Sequence, residues 1–167
     1  MYLRRTTIAL ALTLLAGMSA AAAPTPVPGG ANQISALSAT LGQTVFNGNL
    51  RITISDFRDA SEADTVAIGP SADQKVMSFT ALLRNGTHDE FFRGVEYTVA
   101  DKDGITVPLG FNTMTPPNPH ILQGGAARQR VVFAVSKDFV PVKLIVECAA
   151  CANNSGFRAI RFTIPQH

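Results

Sequence analysis

From Thr44 onward the apolar residues of the chain recur at every second position. In Leu50, Ile52 and Ile54 they alternate with Arg51, Thr53 and Ser55, which puts one greasy row on one face of an extended strand. Residues 75–84 repeat the pattern through Met77, Phe79, Ala81 and Leu83, and Val95, Tyr97 and Val99 do so with Glu96 and Thr98 outward. Ile105, Val107 and Leu109 open a returning strand after Asp101-Lys102-Asp103-Gly104, a tight turn whose glycine supplies the positive φ. Val131, Phe133 and Val135, then Val142, Leu144 and Val146, then Ile160, Phe162 and Ile164 complete the series. No window carries a helical stripe outside the first residues. The reading is all-β: an immunoglobulin-like antiparallel β-sandwich of seven or eight strands.

The first 40 residues are of another kind. Residues 1–23 read as a secretory signal peptide: Arg4 and Arg5, the apolar run 8–16, then the small residues 19–23. The run is too short to span a bilayer, which takes about 20 residues, and Met18 stands where a lipoprotein signal needs cysteine. Residues 24–40 form a linker rich in Pro, Gly, Ala and Ser, opened by PTPVPGG, which neither a helix nor a central strand accepts. Residues 41–167 are the sandwich domain. Whether residues 31–40 add an edge strand is left open. The expected address is secreted or periplasmic, with no membrane span in the mature chain.

Along residues 41–146 the chain resembles the DUF4352 / telokin-like (MPT63-like) family of secreted bacterial immunoglobulin-like domains. The resemblance lies in Leu41-Gly42-Gln43-Thr44-Val45 followed by residues 48–54, in residues 79–83 running into Arg84-Asn85-Gly86-Thr87, in residues 97–104, and in residues 122–135. It implies the fold and an exported location, and no catalytic residues. The chain departs from the family pattern after Val146.

Charge narrows the classes. Of 14 Lys and Arg, two lie in the signal, which leaves 12 against 12 Asp and Glu. A near-neutral mature chain points away from nucleic acid and from a polybasic membrane binder. Carbohydrate modules lean on exposed Trp and Tyr faces. This chain has no Trp, and Tyr97 is the one tyrosine beyond the signal.

Cys148 and Cys151 are the sharpest local feature. At this spacing a β-turn brings the pair within disulfide reach, and an oxidising compartment makes the bridge the default. A soft-metal site and a thioredoxin-type redox pair are the alternatives, the latter needing a helix N-terminus that the pattern does not offer. His88 and His120 lie on loops, so His88, His120, Cys148 and Cys151 are the low-ranked metal candidates; solvated loop histidines are the plainer reading. The acidic residues Asp56, Asp59, Glu62 and Asp64 lack the order of a calcium loop and read as ordinary loop chemistry. Phe91-Phe92 is either an exposed patch or a pair that splits, one ring plugging the core. The triplets at Asn85 and Asn153 match glycan acceptors that recur by chance. No nucleophile elbow, phosphate loop or His-Glu-x-x-His is present. The expectation is therefore an exported, non-catalytic, cofactor-free domain that binds a protein or a cell-envelope component. A small metal-handling or thiol-redox protein using Cys148 and Cys151 is the alternative.

Overall fold

The computed structural model describes residues 36–148 and 156–166. The signal peptide and residues 24–35 of the linker lie outside them. Among the described residues there are ten strands: β1 (Leu37–Thr40), β2 (Thr44–Phe46), β3 (Leu50–Asp59), β4 (Gln74–Asn85), β5 (Val95–Asp101), β6 (Thr106–Leu109), β7 (Met114–Thr115), β8 (Ala126–Ser136), β9 (Pro141–Cys148) and β10 (Ile160–Thr163). They form two five-stranded sheets, β1-β10-β9-β5-β6 and β2-β3-β4-β8-β7. Every neighbouring pair is antiparallel except β1 with β10, which is parallel. Strands β3, β4, β8 and β7 occupy the places of the four-stranded immunoglobulin sheet. Strands β5, β9 and β10 occupy those of the three-stranded one. The fold is the expected β-sandwich. The strand count exceeds seven or eight because β1, β2 and the two-residue β7 are too short to show a period.

The alternating rows do meet in one interior. Leu50, Ile52 and Ile54 of β3, Phe79 and Leu83 of β4 and Val131 and Phe133 of β8 face Tyr97 and Val99 of β5, Leu144 and Val146 of β9 and Phe162 of β10, all buried. Each such side chain contributes about 1.5–3 kcal/mol when removed from water. The Phe79 ring meets Tyr97 edge-on across the two sheets, with centroids 5.2 Å apart.

Two departures from strict alternation have local causes. Between Ser55 and Arg58 strand β3 carries one extra residue, with Asp56 at φ 54°. This bulge shifts the parity, so that Phe57 turns inward and stacks on Phe79 at 5.7 Å. After β3 the acidic stretch is a short helix, α1 (Glu62–Ile68), not a loop. Ser61 caps it by accepting from the Asp64 amide, and Gly69 closes it in the left-handed conformation. No residue of α1 is buried, so no apolar stripe could announce it.

The domain also begins earlier than residue 41. Leu37–Thr40, read as linker, is edge strand β1, in register with Ile160–Thr163.

One polar pair is sealed inside. Tyr97 donates its hydroxyl to Gln129 Oε1 at 2.7 Å, and Gln129 Nε2 donates to the carbonyls of Pro116 and Pro117 at 2.8 and 3.1 Å. Burial pushes the Tyr97 phenol well above its usual pKa. Tyr97→Phe strands the Gln129 oxygen without a donor, and urea unfolding should register a loss of about 1–3 kcal/mol. A loss under about 0.5 kcal/mol would mean that the pair is not a support of the core.

Candidate functional site

The connections at one end of the sandwich converge. Val95 at the start of β5 is paired with Cys148 at the end of β9, and Leu50 at the start of β3 with Asn85 at the end of β4. The loop after β4 and the loop before β8 meet there in a short antiparallel contact. Phe91 and Ile121 exchange both backbone hydrogen bonds, at 2.9 and 2.7 Å.

Asn85 organises this meeting. Its side chain is buried; Nδ2 donates to the carbonyls of Asp89, Ile121 and Leu122, while Oδ1 accepts from the Thr87 amide and hydroxyl. A short amide side chain at the last position of a strand thus ties its own following loop to a second loop 36 residues further along the chain. Asn47 does similar work in the turn after β2, where its Oδ1 accepts from the amides of Asn49 and Leu50. Gly48 packs there at φ 105°, and a Cβ on it would lie 2.0 Å from the Gly156 carbonyl oxygen. Only glycine fits that approach.

The Phe91–Ile121 ribbon has two unlike sides. Phe91 and Ile121 are buried, with Phe91 stacked on Phe157 at 6.3 Å. Their sequence neighbours stand in solvent: Phe92 is 68% exposed and Leu122 58%. His120 Nε2 lies 2.8 Å from Glu90 Oε2, and both side chains are more than half exposed. The Phe91-Phe92 pair therefore splits, one ring in the core and one outside. A surface contact this exposed contributes little stability.

The structure brings His120 to Glu90, and His88 lies exposed in the same loop as Glu90. Among the described residues no group of three or more His, Cys, Asp or Glu could hold a metal ion. Cys148 ends β9; its candidate partner Cys151 lies outside the described residues. The acidic stretch is likewise dispersed. Asp56 sits on the bulge, Asp59 ends β3, and Asp64 bonds the Ser61 hydroxyl and the Arg130 guanidinium, which hold its carboxyl below the usual range. Asp101 Oδ1 accepts from the amides of Asp103 and Ile105, so it serves the expected turn between β5 and β6.

Two residues of this end went unread in the sequence. Asn85 has the sequence surroundings of a turn and a glycan triplet, and nothing local marks it as buried. Leu122 sits beside a Gly-Gly turn, where an exposed leucine carries no pattern. Comparison with known proteins adds fold likeness alone. No protein-family model matches the sequence, and no curated protein matches it. Among solved structures, an uncharacterised β-sandwich protein from Clostridium difficile is 10% identical, with 77% of this chain and 93% of that one covered and a TM-score of 0.44. A conserved hypothetical protein from Bacillus anthracis is 13% identical, covering 72% and 94%, with a TM-score of 0.47. At that distance neither carries a function to this chain. Among the described residues no helix is long and apolar enough to cross a membrane.

Proposed function

We propose that the protein is an exported, non-catalytic immunoglobulin-like interaction domain of the DUF4352 / telokin-like kind, which binds a protein or a cell-envelope component through its loop end. The observation that carries this reading is the outward side of the Phe91–Ile121 ribbon. Two large apolar side chains, Phe92 and Leu122, are held in water on a backbone locked by paired hydrogen bonds and by Asn85. A rigid apolar projection loses little conformational entropy on docking. Each side chain, once covered, supplies about 1.5–3 kcal/mol. The export address rests on the reading of residues 1–23, and neither a cofactor nor nucleic acid enters the proposal.

Cys148 and Cys151 enter the proposal as a structural bridge. Closing so short a loop stabilises the fold by about 2 kcal/mol.

Two experiments test these statements. A photo-crosslinking residue placed at position 92 in the exporting cell should trap a partner. The double variant Phe92→Ser, Leu122→Ser should lower retention on that partner at least about tenfold with an unchanged melting temperature. Equal retention by the variant would refute the ribbon as the binding surface. For the cysteines, alkylation of the unreduced protein should leave both unmodified; free thiols that take up copper or zinc stoichiometrically would favour the metal-handling alternative.

A further inference from the structure

The balance of charge over the whole chain conceals a segregation. On the outer face of the sheet β2-β3-β4-β8-β7, Arg51 of β3 is directly opposite Arg84 of β4. Arg128 of β8 is opposite Leu82 and therefore diagonal to Arg84. All three arginines are exposed. Like charges set directly across a ladder weaken it. Arg51 is partly compensated, since its guanidinium lies over the Phe46 ring, 5.1 Å from the centroid. Among the described residues, no salt bridge joins Arg51, Arg84 or Arg128 to a carboxylate. The neighbouring Arg130 is already committed to Asp64 of α1.

The relief of this face selects what can reach it. Helix α1 lies over the half of the sheet near Arg130 and Ser78, and Ser78 is buried there. A helix is about 10 Å across. The bare half with Arg51, Arg84 and Arg128 is thus a shelf below a step. A flat bilayer would rest on α1, whose first turn carries Glu62 and Asp64, and stay off the arginines. A chain one strand wide can lie on the shelf. Opposite positions on neighbouring strands are about 5 Å apart and diagonal ones about 7–8 Å. An extended peptide repeats side chains on one face about every 6.6–6.8 Å. Carboxylates at alternate positions match that row, and guanidinium groups take carboxylates in bidentate pairs.

We propose that this shelf is a second interaction surface, which takes an extended acidic segment of a partner protein through Arg51, Arg84 and Arg128. It shares no residue with the Phe92–Leu122 ribbon, so either surface can fail alone.

The test is fluorescence anisotropy at low ionic strength on the full chain as exported, with a labelled ten-residue peptide of alternating Glu and Ser as probe. Saturable binding is expected, weakening as salt is raised. Arg84→Gln with Arg128→Gln should reduce the affinity about tenfold or more, while Arg84→Lys with Arg128→Lys keeps part of it. Lys143→Gln with Arg161→Gln, on the outer face of the other sheet, should leave it unchanged. Circular dichroism melts of each variant should lie at or slightly above the parent's, because all four residues are exposed and Arg84→Gln relieves the repulsion from Arg51. Absence of binding, or equal loss in the Lys143 and Arg161 variant, would overturn the proposal. So would binding to phosphatidylglycerol vesicles through the same arginines as tight as to the peptide, since the occupant would then be a membrane.

Discussion

A phenol sealed between two sheets must find a partner, and in this protein much else follows from where it finds one. Tyr97 stands on β5, and the acceptor is Gln129 on β8, in the opposite sheet. Because both groups are buried, the bond fixes how the two sheets face each other: a slip of either strand would leave two buried polar groups unpaired. Gln129 passes the constraint on. Its amide nitrogen holds the carbonyls of Pro116 and Pro117, which begin the segment that delivers His120, Ile121 and Leu122 to the loop end. The core therefore sets the position of the outer ribbon through a chain of hydrogen bonds, and Asn85 anchors it from the other side.

Most of the sandwich was legible because burial on one face imposes a period of two. The faces of β3 up to its bulge, β4, β5, β8, β9 and β10 follow from alternation alone; Gln129 lies on the inward row of Val131, but its polar side chain gives no sequence sign of burial. Where the period fails, the cause is local geometry. The bulge at Asp56 changes parity and admits Phe57. Strand β1 is four residues long on a sheet edge and buries only Ala39. Helix α1 has a cap signature but no buried face. The candidate site was the least legible part. Of its residues, His120 and the Phe91-Phe92 pair are marked in the sequence by their chemistry. The organising residue, Asn85, is polar and next to glycine, which is the composition of any turn; its burial comes from a loop 36 residues away.

Net charge was a poor guide to surface charge for a related reason. Twelve cations and twelve anions beyond the signal sum to zero. Alternation nevertheless places Arg51, Arg84 and Arg128 on one face, while Glu62 and Asp64 lie on α1, Asp89 and Glu90 in the loop before β5, and Glu96 and Glu147 opposite each other on the other sheet. Register, which pairs residues from distant parts of the chain, decides which charges are neighbours. The loop end and the arginine shelf adjoin, since Arg84 directly precedes Asn85 in β4.

The central claim is that the loop end is a built platform, part of the cooperative fold. Native-state hydrogen exchange resolved at the amides of Phe91 and Ile121 tests it most directly. Both amides should exchange slowly, with protection approaching that of the interior amides of β4 and β5. Exchange at the rate of an unstructured chain at these two positions, with the strands still protected, would contradict it.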